Sequence, residues 1–404
     1  MPKRVLIFCL AYYPKYIGGD GVAVKEITDR INPSDIEFHM VTLRFDSTLP
    51  RVEKIGNVLV HRIGFARPHP NMSDLKRFPL HYTKAIFQIS AAFKALSLHR
   101  KYTYDATWAM MAHSAGTPAA VFKLFKPKVP YLLTLQEGDP PEYIEKVMRP
   151  LWPLFARTFT SADMVQVIST FLGRWARRRG YKGPLEVVPN AVNTKHFSQE
   201  YPESELSALK QKLGKKDDDI FLITTSRLVH KNALDDVIRA LPLLPPHVHF
   251  IILGVGPDET ELQKLAKDLE VSSRVQFSGL VDHKEMPKYL RVSDIFIRPS
   301  RSEGMGNSFV EAFAAGLPVI ATQEGGIADF LFDAERNPEK PTTGWAVDKD
   351  SPAQIVAAVK DILSNSEETR RVVETARKLA FEKYDWDLIA HTMREKVFAR
   401  ILTV

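Results

Sequence analysis

A strand–helix–strand unit is encoded most clearly in residues 295–322, which read IFIRPSRSEGMGNSFVEAFAAGLPVIAT. The apolar runs Ile295–Arg298 and Val319–Thr322 predict two buried strands, because short strands without polar alternation are typical of parallel sheets. The stretch Asn307–Ala315 between them predicts a helix. We therefore expect a parallel pair of strands joined by a right-handed helical crossover.

The same alternation of strands and helices extends over nearly all of the chain's 404 residues. Further apolar runs predict strands at Val5–Leu10, Glu37–Leu43, Val58–Ile63, Ala106–Ala109, Tyr131–Leu135, Met164–Ile168, Leu185–Val188, Phe221–Ser226, His249–Leu253 and Val275–Ser278. Helical patterns lie between them at Val22–Ile31, Thr83–Ser97, Ala233–Ala240 and Glu259–Leu269. This order predicts an α/β protein made of doubly wound parallel sheets, in which ligands bind beyond the carboxyl ends of the strands.

The strands form two series, and the turn-rich stretch 188–197 separates them. We predict two Rossmann-like domains, residues 1–195 and 196–380. Residues 381–404 predict a closing amphipathic helix that packs back on the N-terminal domain.

The composition is that of an ordinary globular protein, with 45% hydrophobic and 25% charged residues. It excludes a disordered chain and a disulfide-rich module. Cys9 is the only cysteine and lies in an apolar run, which predicts a buried, inert thiol. No apolar segment is long enough to span a bilayer, so we predict a cytoplasmic protein.

The charge is divided unequally along the chain. Residues 1–195 contain 28 Lys and Arg against 15 Asp and Glu, a net of +13, whereas residues 196–404 have 27 against 33, a net of −6. Such asymmetry bears on binding partners rather than on the fold. It points to an anionic substrate, an anionic membrane surface or nucleic acid.

The loop before the predicted helix at 307–315 has the composition of an anion site. Gly304 and Gly306 let the backbone approach a ligand closely. The amides of Asn307 and Ser308 lie at the helix N-terminus, where free N–H groups and the helix dipole favour a diphosphate.

Two glutamates flank this loop without an obvious cation beside them in the sequence. Glu303 and Glu311 could each accept hydrogen bonds from neighbouring sugar hydroxyls, so the pair suits a nucleotide sugar. A second interpretation stays open, because Ser308 and Glu311 also have the spacing of a helix capping box.

Two further loops follow predicted strands. Arg227 and Lys231 come after the strand Phe221–Ser226, where two cations could neutralise a leaving diphosphate. The alternative is a pair of solvated surface cations. Gly18 and Gly19 follow the first strand, but no Gly-x-Gly-x-x-Gly or Walker motif is present, and an ordinary turn would also favour glycine.

Together these motifs resemble the retaining glycosyltransferases of family 4, which have the GT-B fold. The features that match are Glu303-x7-Glu311, the loop Ser-Arg-Leu-Val-x-Lys ending at Lys231, the pair Gly18-Gly19, and Val188-Pro-Asn-Ala-Val-Asn193. They occur in the expected order over nearly the whole chain. The resemblance implies two Rossmann-like domains that face each other across a cleft.

The resemblance also implies roles for individual residues. Arg227, Lys231 and Glu303 would form the catalytic set, with the two cations on the donor diphosphate and Glu303 on the transferred sugar. Glu311 would bind the ribose. The remaining donor contacts would come from Gly18, Gly19, Gly279, Leu280, Gly304, Met305, Gly306, Asn307 and Ser308. Neither a metal nor a separate cofactor is expected.

The first half departs from the family pattern at three positions. Trp108 and Met110 stand where the family often has His-x-His, and Gln136 stands where a histidine usually touches the donor sugar. The candidates for that contact, or for the acceptor, are His113, Gln136, Glu137 and Asp139. A structural role for His113 is the alternative.

The predicted activity is transfer of a sugar from a UDP- or GDP-sugar to a hydroxyl of a glycan, lipid-linked or polysaccharide acceptor. The alternatives are a nucleotide-sugar 2-epimerase of the same fold and a non-catalytic nucleotide-sugar-binding protein. The basic N-terminal half suggests docking on an anionic membrane through Arg174–Arg179 around Trp175, with a solvated helix face as the alternative. No nucleic-acid-binding motif is present.

Overall fold

A computed structural model describes residues 2–15, 18–70, 74 and 77–403. The chain divides into two compact units, which are described separately. The first comprises Met1–Asn190 and Trp386–Val404, and the second comprises Ala191–Asp385.

The first unit is built on an eight-stranded sheet. Its strands are β1 (Lys3–Phe8), β2 (Ile36–Leu43), β3 (Val52–Ile55), β4 (Val58–Ile63), β5 (Ala106–Met110), β6 (Tyr131–Leu135), β7 (Met164–Val167) and β8 (Leu185–Val187). They lie in the order β3-β4-β2-β1-β5-β6-β7-β8. All neighbouring pairs are parallel except β3 with β4. The helices are α1 (Gly19–Asp29), α2 (Leu80–Tyr102), α3 (Thr117–Phe125), α4 (Pro141–Met148), α5 (Trp152–Thr160) and α6 (Thr170–Arg178).

The second unit has a six-stranded parallel sheet. Its strands are β9 (Ile220–Thr225), β10 (Val248–Leu253), β11 (Val275–Phe277), β12 (Ile295–Arg298), β13 (Val319–Ala321) and β14 (Trp345–Ala346), in the order β11-β10-β9-β12-β13-β14. The helices are α7 (Thr194–Ser198), α8 (Glu203–Leu213), α9 (Leu234–Ala240), α10 (Glu259–Asp268), α11 (Met286–Arg291), α12 (Asn307–Ala315), α13 (Pro352–Ser364) and α14 (Ser366–Lys383). Strand order reverses beside β9, and such a switch point is where doubly wound sheets place ligands.

The C-terminal tail belongs to the first unit. It forms α15 (Trp386–Thr392), a π-helical turn (Met393–Phe398) and α16 (Ala399–Ile401), where the sequence predicted one continuous helix. The ring of Phe398 packs 5.2 Å from that of Trp108 and 5.6 Å from that of Phe38, centroid to centroid. These aromatic contacts attach the tail to the core beneath the sheet.

Most predicted elements are present within one or two residues of their predicted ends. The unit at 295–322 has β12 and α12 with the predicted bounds. Two strands were missed. The first, β3, alternates exposed and half-buried residues, and the second, β14, has only two residues, so neither forms an apolar run. None of the described helices combines the length and apolarity needed to cross a bilayer.

Candidate functional site

A backbone hydrogen bond joins the loop after β9 to the loop after β12. Arg227 is exposed and Lys231 is half-buried in the first of these loops. The Lys231 carbonyl accepts the backbone N–H of Arg301 at 2.7 Å, and the Arg227 carbonyl accepts the side-chain amide of Asn232 at 2.6 Å. The structure therefore brings the two predicted cations to the same edge of the sheet as the glutamate loop.

Glycines allow a close approach of backbone at this edge. Gly254 follows β10 with φ +147°, and a Cβ there would lie 1.8 Å from the Ser226 carbonyl oxygen. Its N–H donates to the Gly279 carbonyl at 2.7 Å. Gly279 has φ +68°, and the next side chain, Leu280, is 82% exposed. The carboxyl end of β11 thus presents an apolar side chain to solvent.

Glu303 has a buried cation as its partner. Its Oε2 lies 2.9 Å from Nη2 of Arg298, and its Oε1 accepts the N–H of Gly304 at 2.9 Å. Arg298 is 5% exposed and lies over the Phe309 ring, 4.3 Å from its centroid, and burial lowers the pKa of its guanidinium. Sequence reasoning missed Arg298, because it reads as the last residue of a buried strand.

The glycine loop is shaped around that cation. Gly306 has φ +84°, and a Cβ there would lie 2.6 Å from Phe309 and 2.7 Å from Arg298. Gly304 and Met305 are buried, so the loop offers its backbone rather than large side chains. A side chain at position 306 would strain the backbone, because φ is positive, and its Cβ would push against Phe309 and Arg298.

The capping-box interpretation is wrong. Gly306 occupies the N-cap of α12 and gives no side-chain cap, while Asn307 begins the helix. Glu311 instead lies 3.4 Å from Nε2 of His283, and the Ser308 hydroxyl is buried without a hydrogen-bond partner. The first N–H groups of α12 therefore have no side-chain cap, as an anion site requires.

A set of serine hydroxyls in this unit is buried without a hydrogen-bond partner. Its members follow strands β9, β11 and β12 or begin α12: Ser226, Ser278, Ser300 and Ser308. An unsatisfied buried polar group is costly, so these four hydroxyls are candidates for contacts with a polar ligand at this sheet edge. Their position directly after apolar strands is a signal that sequence analysis could have used.

The glycine turn of the first unit has a different character. Gly18 is the N-cap of α1 and supplies no side chain, and a Cβ on Gly19 would meet nothing within 4 Å. Asp20 is half-buried at this turn, and its Oδ2 lies 3.6 Å from the Cys9 sulfur. Burial raises the pKa values of both the Asp20 carboxyl and the Cys9 thiol. The buried position of Cys9 is as the sequence predicted.

The Glu137 carboxylate is held by the backbone around it. It is 1% exposed, and its two oxygens accept the N–H groups of Ala112 at 2.5 Å and Gln136 at 3.0 Å. Nδ1 of His113 lies 3.5 Å from Glu137 Oε1. The structure thus places His113 and Glu137 together, with Glu137 organising the turn after β5.

The other two candidates in this unit are more accessible. Gln136 is half-buried, and its Oε1 accepts the side-chain amide of Asn190 at 3.3 Å. Asp139 is exposed. Gln136 is therefore anchored to Asn190 and still within reach of solvent.

Three aromatic or apolar residues singled out from the sequence are core residues. Trp108 and Met110 are fully buried, and Trp108 donates to the Thr134 hydroxyl at 2.8 Å. Trp175 is fully buried too, with its ring 5.2 Å from Phe159 and its N–H donated to Glu145. The prediction that Trp175 contributes to membrane docking is therefore wrong.

Comparisons with known proteins agree with the two-unit division. Residues 18–191 match the family described as Glycosyl transferase 4-like domain, and residues 207–379 match Glycosyl transferases group 1. The alpha-monoglucosyldiacylglycerol synthase of Acholeplasma laidlawii is 30% identical over 348 residues, 82% of each chain.

A second relative matches a shorter region. The GDP-mannose-dependent alpha-(1-6)-phosphatidylinositol monomannoside mannosyltransferase of Mycolicibacterium smegmatis is 30% identical over 242 residues. That match covers 57% of this chain and 60% of the relative's length.

Two solved structures show the same fold. Sucrose-phosphate synthase from Thermosynechococcus elongatus has a TM-score of 0.79 at 19% identity, with 99% of each chain covered. Anabaena Alr3699/HepE in complex with UDP-glucose has a TM-score of 0.74 at 19% identity, with 98% of this chain and 99% of that chain covered.

Proposed function

Because the chain belongs to the family 4 glycosyltransferases, whose fold is GT-B, we propose that it transfers a sugar from a nucleoside diphosphate sugar to a hydroxyl acceptor. One observation carries the proposal. The loop of Arg227 and Lys231 is hydrogen-bonded to the glutamate loop through Lys231 and Arg301, so both cations and Glu303 share one sheet edge.

The donor diphosphate would bind between the cationic loop and α12. Arg227 and Lys231 supply positive charge, and the N–H groups of Asn307 and Ser308 supply hydrogen bonds at the positive end of the helix dipole. Charge that develops on the leaving diphosphate is stabilised by these preorganised groups. Because they already provide positive charge, we propose that the reaction needs no metal.

The two glutamates would orient the sugars of the donor. The ion pair with Arg298 keeps Glu303 anchored beside the glycine loop, where its remaining lone pairs accept hydroxyls of the transferred sugar. Glu311 would accept the ribose hydroxyls in place of its contact with His283. Leu280, exposed after β11, would pack against the base.

We propose retention of anomeric configuration. The bond between the anomeric carbon and the diphosphate oxygen breaks first, through an oxocarbenium-like state. The acceptor oxygen then forms its bond on the face that the diphosphate leaves, and its proton passes to a diphosphate oxygen.

The proposed donor is a UDP- or GDP-sugar and the proposed acceptor is a glycan or a lipid-linked hydroxyl. The names of these relatives include GDP-mannose, phosphatidylinositol and diacylglycerol, which support this class of substrates. The basic first unit would bind the acceptor and associate with an anionic membrane surface, with Gln136 as its accessible polar contact.

A panel of UDP- and GDP-sugars with lipid and oligosaccharide acceptors tests the proposal. We expect nucleotide release that depends on the acceptor, and NMR of the product should show the donor's anomeric configuration. Glu303→Gln should lower turnover, whereas Glu261→Gln, an exposed residue of α10, should not. Release of a free 2-epimerised sugar, or binding of donor without turnover in any pairing, would contradict the proposal.

A further inference from the structure

The outward face of α2 carries a stripe of large apolar side chains. Tyr82, Ile86, Ile89 and Phe93 follow one another at intervals of four, three and four residues, which places them on one face of the helix. Their exposed fractions run from 44% to 58%. The opposite face, which includes Phe87, is buried against the unit.

The stripe continues onto the end of α3. Phe93 and Phe125 have ring centroids 6.5 Å apart, and Phe125 is 58% exposed. Its neighbour Leu124 is 46% exposed. We call this set the α2 surface: Tyr82, Ile86, Ile89, Phe93, Leu124 and Phe125. A contiguous apolar patch of this kind on a folded unit marks a surface that something else covers.

The charges on α2 and in the sequence that flanks it are mostly positive. Between Asp74 and Glu137 the only acidic residue in the sequence is Asp105, which is 3.2 Å from the Lys3 amine and accepts the backbone N–H of Arg4. The cations in the described part of the same stretch are Arg77, Lys84, Lys94, Arg100, Lys101, Lys126 and Lys128, together with Lys123, whose amine is already paired with Asp163 at 2.7 Å. Arg100 lies seven residues after Phe93, in line with the stripe.

We propose that the α2 surface seats the protein on an anionic lipid bilayer. Apolar side chains that lie in the interface, surrounded by cations that meet lipid phosphates, are how amphipathic helices bind membranes in the plane of the surface. A second copy of the chain fits less well, because α2 carries Lys84, Lys94, Arg100 and Lys101 but no carboxylate, so pairing two α2 surfaces would bring like charges together. The proposal rests on the proposed function in that a lipid-linked acceptor would lie in the same bilayer.

The surface differs from the one that the sequence suggested. On α6 the cations Arg174 and Arg178 are exposed, but the aromatic partner Trp175 is inside the core. The apolar component of a membrane contact is thus present on α2 and absent from this part of α6.

Co-sedimentation with vesicles tests the proposal on the full chain. Vesicles of mixed phosphatidylcholine and phosphatidylglycerol are compared with phosphatidylcholine alone. We expect Ile86→Ser/Ile89→Ser/Phe93→Ser to lower binding to the mixed vesicles by at least about tenfold. Lys94→Gln/Arg100→Gln/Lys101→Gln should weaken binding and reduce its dependence on salt. The matched control, Arg174→Gln/Arg178→Gln on α6, should bind as the wild type does.

Two further measurements separate this proposal from the proposed function. Thermal melting shows whether each variant is folded. The rate of donor hydrolysis without vesicles should be equal in the wild type and the Ile86→Ser/Ile89→Ser/Phe93→Ser variant. The assignment would be overturned if the Ile86→Ser/Ile89→Ser/Phe93→Ser variant bound mixed vesicles as well as the wild type does. It would also be overturned if the α6 variant lost binding instead. Failure of the wild type to bind mixed vesicles would overturn it as well. The same holds if light scattering shows dimers of the wild type that the triple serine variant does not form, because the α2 surface would then bind a second copy of the chain.

Discussion

Glu303 and Glu137 show how differently the two units use a carboxylate that follows a sheet strand. Glu137 gives both oxygens to backbone N–H groups and is sealed from solvent. Glu303 is anchored by Arg298 and Gly304, but its side chain remains 14% exposed, and four buried serine hydroxyls of the same unit lack partners. The first carboxylate completes a turn, while the second still has capacity to bind.

The comparison teaches that residue type and motif position do not fix a role. Both glutamates lie where doubly wound folds place ligands, and both were candidates from the sequence. The hydrogen-bonding capacity left after folding, together with access to solvent, distinguishes them. Substitutions in the two units should therefore fail in different ways.

The largest effect is expected for Lys231→Gln. Removing a cation from the leaving diphosphate should lower kcat by about 100- to 1,000-fold, the usual cost of losing one preorganised group at a developing charge. Steady-state kinetics with the preferred donor measures it. Lys264→Gln, an exposed cation of α10, is the matched control and should be unaffected. Equal rates in the two variants would assign Lys231 to a solvated surface.

Arg298→Met should destabilise the second unit by about 3 kcal/mol, because it leaves the Glu303 carboxylate without its cation. Urea unfolding measures this loss. Arg298→Lys keeps the charge and should recover part of the stability, and its donor KM should remain closer to the wild-type value than that of the methionine variant. A methionine variant with wild-type stability and wild-type KM would show that Arg298 does not position Glu303.

Glu137→Gln should affect folding rather than catalysis. The amide can no longer accept from both backbone N–H groups, which should cost about 1 to 3 kcal/mol of stability. Turnover per folded molecule should stay close to that of the wild type. A large fall in kcat with unchanged unfolding would instead place Glu137 in the reaction and remove the contrast with Glu303.

The smallest effect concerns acid stability of the first unit. Burial, with His39, Lys94 and Lys101 nearby, lowers the pKa of His61 from 6.5 to about 4. The unfolded chain therefore binds the proton first, and stability should fall as the pH drops from 6.5 towards 4, by about 1 to 2 kcal/mol at pH 5. The free energy of unfolding of His61→Phe should fall less between pH 7 and pH 5 than that of the wild type. An equal pH dependence in the two proteins would contradict this prediction.

The sequence was sufficient for elements whose burial is continuous. β12 and α12 have their predicted bounds because the apolar runs end at Pro299 and Gly316, and proline and glycine commonly terminate strands and helices. The polar strand β3 could not be found in this way, since its apolar residues pack on only one neighbour at the sheet edge.

The site was only partly predictable for a related reason. Motif spacing identified Glu303 and Glu311, but Arg298 is recognisable as a partner only once the loop folds back over the strand. The N-cap of α12 is Gly306, whose backbone is left-handed. This excludes the capping box of Ser308 and Glu311, which the sequence alone also allows. Trp175 looked interfacial beside four arginines, although it faces Phe155 and Phe159 in the core.

Calorimetric titration of UDP and GDP into the full chain tests the central claim most directly, namely that the edge of the second unit binds the donor diphosphate. We predict that one of the two nucleotides binds the wild type. Arg227→Gln should weaken the affinity for that nucleotide at least about tenfold, because a charge-assisted contact is lost. His113→Gln in the first unit should leave the affinity unchanged. Unchanged affinity in Arg227→Gln, with a loss in His113→Gln, would contradict the account.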